Sequence, residues 1–327
     1  MSVPEHGGQT LLSRYAEAAF WLGRYVERAE NLARILDVNE TFAHDDDEAA
    51  SWTSIVELNA DSDRFSPPSD DNLAEAVIRF YTLDSTNETS IIWSIKAARE
   101  NARTVRPLIS TEMWSQINRF HNRLIGMTWA EVSLPKLNEF CGWIKESCQT
   151  HTGIVEGTFY RDQGWLFYHM GRSIERADQT TRLVDVKYHI LLPSPMDVGS
   201  HVDASQWNAV LRSAAGYHAF RRRHPRGMAP DRVVDFLLFD PFFPRSASTC
   251  LKQVAQLLTM LQTRYRLRGG NAALEHVDEL QSLMADHTID DAISLGLHEF
   301  IDRLQSELGI VTGRISQAFF GYTGADE

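Results

Sequence analysis

Residues 23–38 read GRYVERAENLARILDV, and residues 171–186 read GRSIERADQTTRLVDV. Eight of the sixteen positions are identical, whereas two unrelated segments would share about one by composition alone. The apolar side chains recur at helical spacing, which predicts that the copies lie in long α-helices from Ser13 to about Glu40 and from about Arg161 to Ile190. The chain is therefore predicted to contain an internal repeat.

The similarity extends beyond these two helices. Four further residue pairs are separated by 155 or 156 positions: Trp52 with Trp207, Phe80 with Phe236, Asp84 with Asp240, and Ser90 with Ser246. This order predicts a tandem duplication, with repeats at about residues 11–152 and 158–320. Neither repeat could easily cover its own broad apolar faces, so we expect the two halves to pack about a pseudo-twofold axis into one helical bundle.

Helical periodicity dominates the rest of the chain, and no segment reads as a convincing β-strand. The predicted fold class is therefore all-α. A helix that begins at Leu134 is expected to end at Gly153 and Gly157, because glycine disfavours a helix interior. The residues from Trp207 to Arg221 are expected to form a single helix.

Composition excludes several classes of protein. The chain has 327 residues, of which 43% are hydrophobic and 23% charged, as is usual for a globular protein. A formal net charge of −12 disfavours nucleic acid and anionic membranes as partners. The three cysteines have no CxxC spacing, and no apolar run is long enough to span a membrane. We therefore expect a cytoplasmic protein that binds neither nucleic acid nor membrane.

One side of each long helix is predicted to be ionic, with a glycine, Gly23 or Gly171, within it. A glycine inside a helix costs about 1 kcal/mol relative to alanine, so its presence in both copies predicts that the two helices approach closely there. The charged positions are Arg24, Glu27, Arg28, Glu30 and Arg34 in the first copy, and Arg172, Glu175, Arg176, Asp178 and Arg182 in the second.

Two interpretations of these charges remain open. They form a buried salt-bridge network between the helices, in which Glu30 with Arg34 and Asp178 with Arg182 also pair four residues apart. Alternatively, surplus arginines form a pocket that binds a carboxylate or phosphate group, since guanidinium groups suit both. The arginines of that second interpretation are Arg24, Arg28, Arg172 and Arg176.

A basic ridge is a candidate partner surface. It consists of Lys96, Arg99, Arg103 and Arg106, which follow one another at steps of three, four and three residues along one helix face. The second repeat has only Lys252 at the corresponding place. An ordinary solvated helix face is the alternative explanation.

Signatures of catalysis are missing from the sequence. It contains no GxGxxG, P-loop, HExxH or GxSxG motif, and no Glu-x-x-His pair of the kind that binds di-iron centres. We therefore predict neither a metal site nor a cofactor.

Several short motifs together resemble the bacterial alpha-E domain family. They are LSRYAE (residues 12–17), WLGRY (21–25), ERAE (27–30), ARENAR (98–103), GR with ERA (171–172 and 175–177), and FD with PRS (239–240 and 244–246). The resemblance covers nearly the whole chain and implies a single all-helical domain over residues 1–327. The activity of that family is uncharacterised, so the resemblance assigns no catalytic residue.

The family also implies a functional context. Its members are typically encoded beside, or fused to, circularly permuted ATP-grasp proteins and transglutaminase-like proteases, which are the partners expected here. We therefore expect a non-catalytic accessory or scaffold that acts with an ATP-grasp amidoligase in the biosynthesis of a peptide or an amide-linked metabolite. The alternative is an enzyme of the same pathway, whose Arg/Glu pocket binds a carboxylate and performs acid/base or acyl-transfer chemistry.

Overall fold

The computed structural model describes residues 11–42, 48–66, 72–191, 201–225, 227–267, 269–294 and 296–321. Within these ranges the chain is helical and contains no β-strand, so the prediction of an all-α fold is confirmed. None of the described helices is both long and apolar enough to cross a membrane. The helices are α1 Ser13–Phe42, α2 Glu48–Leu58, α3 Leu73–Thr82, α4 Ile91–Thr104, α5 Thr111–Ile125, α6 Trp129–Val132, α7 Leu137–Thr158, α8 Gln163–Leu191, α9 His201–Ser213, α10 Tyr217–Arg223, α11 Pro230–Leu238, α12 Ala247–Tyr265, α13 Asn271–Asp286, α14 Ile289–Ser294 and α15 Leu297–Phe319, with a 3₁₀ turn at Leu134–Lys136.

The two long helices α1 and α8 form the centre of the molecule and pack against each other. Helices α4, α7 and α9 also pack on α1, while α2, α12 and α15 pack on α8. Trp52 on α2 and Trp207 on α9 are both fully buried in the surrounding core. Because the other helices cover the central pair from several sides, Glu27 on α1 and Glu175 on α8 have little access to water.

Two glycines allow α1 and α8 to come into backbone contact. A methyl group at Gly23 would lie 3.1 Å from the carbonyl carbon of Tyr168 and would overlap its oxygen. A methyl group at Gly171 would lie 2.8 Å from the carbonyl carbon of Phe20 and would overlap that oxygen. The predicted close approach of the helices at these glycines is therefore confirmed, and it explains why alanine, a better helix former, is absent from both positions.

Helices α2 and α9 end in the same way, without a glycine in the left-handed position. Ala60 and Ala215 have φ angles of 54° and 55°, and the next residue donates its N–H back into the helix. These closing bonds are 3.0 Å from Asp61 to Val56 and 2.7 Å from Gly216 to Leu211. The left-handed conformation costs alanine about 1–2 kcal/mol.

The prediction of a single helix from Trp207 to Arg221 is wrong, because α9 ends at Ser213 and α10 begins at Tyr217. In the turn between them the left-handed residue is Ala215, and the N–H of the following Gly216 closes α9. The predicted helix end at Gly153 and Gly157 is also wrong. Helix α7 continues to Thr158, and a methyl group at either glycine would meet no neighbouring element within 4 Å. Burial of its apolar side opposes the cost of about 1 kcal/mol for each glycine.

Candidate functional site

The two long helices bind each other through their charged residues. Arginines of α1 contact a glutamate of α8, and an arginine of α8 contacts a glutamate of α1. The glutamates lie in the core between the helices, whereas the arginine side chains reach them from the edge and remain 11–21% exposed. The predicted ionic sides of α1 and α8 therefore form an interhelical network, called the Arg/Glu network below.

Glu175 is the acidic centre of one side of this network, and its side chain is completely buried. The Nε of Arg24 donates to its Oε2 at 2.7 Å, while Arg28 donates through Nε to Oε1 at 2.6 Å and through Nη2 to Oε2 at 3.0 Å. Burial opposes ionisation of Glu175, but the charges and hydrogen bonds of Arg28 and Arg24 outweigh it and lower its pKa to about 2. Glu175 is therefore ionised at neutral pH.

Glu27 is the acidic centre of the other side. The Nε of Arg176 donates to its Oε1 at 2.9 Å, and Nη2 donates to its Oε2 at 2.7 Å. A second arginine, Arg245, donates from Nη1 to Oε1 at 2.7 Å. Burial again opposes ionisation, yet the charges of Arg176 and Arg245 hold the pKa of Glu27 well below its ordinary value. Both buried glutamates thus carry two arginines each.

Arg245 is the functional residue that the pattern of the long helices missed. It lies just before Ser246, the residue that caps α12, and it also donates to Asn31 at 2.7 Å and to Glu30 at 3.4 Å. It is 218 positions from Glu27 in the sequence, so no local spacing connects them. The PRS motif at residues 244–246 was the one available signal, because it contains this arginine.

The other candidate residues make more local contacts. Arg34 binds Glu30 at 2.6 Å and Arg182 binds Asp178 at 3.0 Å, so both predicted pairs at four-residue spacing are confirmed. Arg172 does not contact the buried glutamates, and its Nη2 lies 3.4 Å from Oε1 of the half-exposed Glu156 on α7. Nine of the ten candidates thus bind another candidate, and Arg172 does not.

This geometry favours the salt-bridge interpretation over a ligand pocket. Each arginine that faces Glu27 or Glu175 already binds a carboxylate of the chain, and an incoming carboxylate would have to replace it. The two glutamates carry no proton at neutral pH, so neither is suited to act as a general acid. Arg24 and Arg28 are further held over the rings of Trp21 and Tyr25, at 4.9 and 5.5 Å.

The basic ridge is less uniform than its spacing predicted. Lys96 and Arg103 are exposed, although Arg103 binds Glu100 at 2.6 Å. Arg99 and Arg106 are partly buried on the ring of Trp114, at 5.8 and 5.9 Å from its centroid. The ridge therefore presents two exposed cations and two that are fixed by an aromatic side chain.

Other buried titratable groups show no sign of activation. Burial raises the pKa values of Cys141 and Cys148, and it raises that of Cys250 to about 11, which disfavours the thiolate. Burial and the charge of Arg172 lower the pKa of His151 to about 4, and burial with neighbouring arginines lowers that of His169 to about 2. Among the described residues, no three His, Cys, Asp or Glu side chains are grouped to hold a metal ion.

Comparison with known proteins gives one family match. The model of a family described as a predicted alpha-helical domain with a conserved ER motif matches residues 11–320. The chain contains the dipeptide Glu-Arg twice, as Glu27-Arg28 and Glu175-Arg176. These are four of the residues that form the interhelical network.

The relatives to which this chain is similar are uncharacterised proteins from mycobacteria. One from Mycobacterium bovis is 25% identical over 289 residues, and proteins from two strains of Mycobacterium tuberculosis are 25% and 24% identical over the same length. Each alignment covers 80% of this chain but 31% of the relative, so the chain spans about a third of the length of the relatives it matches. No solved structure matches the chain.

Proposed function

We propose that this chain, which belongs to the Alpha-E family, is a non-catalytic accessory or scaffold protein that acts with an ATP-grasp amidoligase. Its partners would be a circularly permuted ATP-grasp protein and a transglutaminase-like protease. The shared pathway would make and process a peptide or an amide-linked metabolite in the cytoplasm. The observation that carries this proposal is the internal pairing of the Arg/Glu network.

A paired network suits a scaffold better than an active site. The guanidinium groups that bind Glu27 and Glu175 are engaged by carboxylates of the same chain at 2.6–3.0 Å. Such contacts fix how the two central helices cross, because breaking a buried pair leaves an uncompensated charge. The network therefore supports a rigid body whose outer surface is available to partners.

We also propose that this body arose by tandem duplication and that its halves are related by a pseudo-twofold axis. The contacts between α1 and α8 support this proposal, because they are reciprocal. Gly23 meets Tyr168 and Gly171 meets Phe20, and both members of one contact are 148 positions from those of the other. The Arg28–Glu175 and Arg176–Glu27 pairs are exchanged in the same way.

Capping contacts in the outer helices give further support. Ser90 and Ser246 cap α4 and α12 through the backbone N–H three residues later, at 3.2 and 3.1 Å. Before α6 and α14, the N–H groups of Thr128 and Thr288 donate at 2.8 Å to an acidic side chain three residues later. Equivalent residues form the same contacts at offsets of 156 and 160 positions.

The length of the relatives agrees with an accessory role. The shared region covers 31% of each mycobacterial relative, so those proteins contain much additional chain. A helical unit joined to other regions in one chain is a natural candidate for a unit that works beside them.

Association is the first experiment. A circularly permuted ATP-grasp protein from the same organism should co-purify with this chain. Binding of this chain should change the rate at which the ATP-grasp protein forms amide bonds. The double variant Lys96→Glu/Arg103→Glu should weaken association in a salt-sensitive manner, because exposed charges act mainly on the association rate. Lys252→Glu is the matched control, since Lys252 is exposed on α12 at the position that corresponds to Lys96.

The second experiment separates the scaffold from the enzyme. Purified alone, the chain should neither hydrolyse ATP nor form or cleave amide bonds. Amide chemistry by the isolated chain that disappears in Arg24→Ala, while the variant remains folded, would contradict the proposal and establish the enzyme alternative. A folded chain that does not associate with the ATP-grasp protein would contradict the scaffold proposal.

A further inference from the structure

A cleft lies beside the Arg34 end of the Arg/Glu network, between the last turns of α1 and the junction of α9 with α10. Its volume is about 540 Å³, within the range of sites that hold small organic molecules. The lining residues that matter for its chemistry are Arg34, Asp37, Val38, Arg212, Tyr217 and His218. The cleft has one partly apolar wall and several polar groups.

The charges on the α1 side are mostly neutralised within the fold. Arg34 binds Glu30 through Nη2, and both oxygens of Asp37 accept hydrogen bonds, from Asn138 at 2.8 Å and from Lys145 at 2.6 Å. The Nε of Arg34 is buried and has no hydrogen-bond partner among the residues that the structure describes. The α1 side of the cleft therefore has little net charge of its own.

The α9–α10 side supplies a cation that is held by an aromatic ring. Arg212 is exposed, and its guanidinium lies 4.4 Å from the ring centroid of Tyr217, with no salt bridge to any carboxylate of the described chain. Stacking orients the planar group and leaves its N–H donors free to bind an anion. His218 is also exposed, and its ring lies 5.2 Å from that of Tyr217.

We infer that this cleft binds a small molecule that carries a carboxylate, of amino-acid to dipeptide size, with Arg212 as its main anion-binding residue. A planar guanidinium matches a planar carboxylate through two parallel hydrogen bonds. Tyr217 and Val38 offer apolar surface to the rest of the molecule. This inference rests on the proposed function, in which the accessory protein presents a peptide or amino-acid substrate to its partner.

Binding to the isolated full chain tests the inference. The probe is the dipeptide alanyl-glutamate, titrated by calorimetry and by NMR, with the fully amidated dipeptide as the neutral comparison. Arg212→Gln should weaken binding of alanyl-glutamate by about tenfold or more, because it removes charge-assisted hydrogen bonds. The matched control is Arg264→Gln, since exposed Arg264 stacks on Tyr265 at 5.4 Å in a similar pair that does not line the cleft.

Three outcomes overturn the inference. They are no measurable binding of alanyl-glutamate, equal binding of the amidated dipeptide, and unchanged binding in Arg212→Gln. Inorganic phosphate that binds as tightly as the dipeptide overturns the choice of carboxylate. If the chain binds the dipeptide but does not associate with an ATP-grasp protein, the inference about the cleft holds and the proposed function is contradicted. If the chain associates with that protein but does not bind the dipeptide, the proposed function holds and the inference about the cleft is contradicted.

Discussion

Glu27 and Glu175 hold the same position in the two copies of the repeated segment, yet different parts of the molecule neutralise them. Each binds the arginine that follows the other glutamate, namely Arg176 and Arg28. The second arginine differs. Glu175 takes Arg24 from the opposite long helix, whereas Glu27 takes Arg245 from the start of α12. Identical motifs therefore acquire different partners once the outer helices are in place.

The difference has a structural cause. Arg172, which corresponds to Arg24, lies near Glu156 and not within ion-pair distance of Glu27. Thr89 occupies the position that corresponds to Arg245, and its hydroxyl binds Asp61 and Asn87 at 2.6 Å. The segment before α4 therefore has no arginine at that position to bind Glu175. One buried glutamate depends on the two long helices alone, and the other also depends on α12.

Removing either glutamate should have the largest effect. Glu27→Ala and Glu175→Ala should each lower the free energy of unfolding by about 3–5 kcal/mol, because the partner arginines would lose their counter-charge in a largely buried site. Urea unfolding followed by circular dichroism measures this change. Losses of less than about 0.5 kcal/mol would mean that the network contributes little to stability.

Adding a methyl group at the helix contact should have the next largest effect. Gly23→Ala and Gly171→Ala should each cost about 1–3 kcal/mol or more, because the new methyl would overlap a backbone carbonyl that cannot move without separating the helices. Gly153→Ala and Gly313→Ala are matched controls in exposed helical positions with open space around them. These controls should be neutral or stabilising by about 0.5–1 kcal/mol.

Arginine substitutions distinguish the two sides of the network. Arg24→Ala and Arg245→Ala should each cost about 1.5–3 kcal/mol, the range for a hydrogen bond to a charged group. Arg172→Ala should cost less than about 1 kcal/mol, because its 3.4 Å contact is with a half-exposed glutamate. Urea unfolding measures these losses of unfolding free energy. Equal losses for Arg24→Ala and Arg172→Ala would contradict the proposed difference between the two sides of the network.

The smallest expected effect depends on pH. His298 on α15 binds Asp185 of α8 at 2.7 Å, while Asn138 on α7 binds Asp37 of α1 at 2.8 Å. The hydrogen bond and charge of Asp185 raise the pKa of His298. The contact therefore contributes stability below the unfolded pKa of about 6.5 and loses it as pH rises through the folded pKa.

Because His298 is half-exposed, its contribution should be below about 1 kcal/mol. His298→Asn would place at Asp185 the same side-chain amide that Asn138 uses to bind Asp37. It should be less stable than the unchanged protein at pH 5.5 and equally stable at pH 8, as measured by urea unfolding. An identical difference at both pH values would exclude a charged histidine from this contact.

Local pattern was sufficient for much of the fold. The long helices, the two glycines and the pairs Glu30–Arg34 and Asp178–Arg182 all follow from helical spacing, and all were confirmed. The turn after α9 escaped prediction because Ala215 adopts a left-handed conformation that alanine seldom takes. Helix α7 continues through Gly153 and Gly157 because burial of apolar side chains along the whole helix outweighs the low helix propensity of single residues.

The sequence alone determined that each long helix carries charges on one side and that two such helices exist, because a period of 3.6 residues is a property of a single helix. Only the tertiary structure decided which arginine reaches which glutamate. The decisive contacts join residues 147–218 positions apart, and they depend on the crossing of α1 with α8 and on where α12 begins. The cleft beside Arg212 follows from the same cause, since its walls come from helices that only packing brings together.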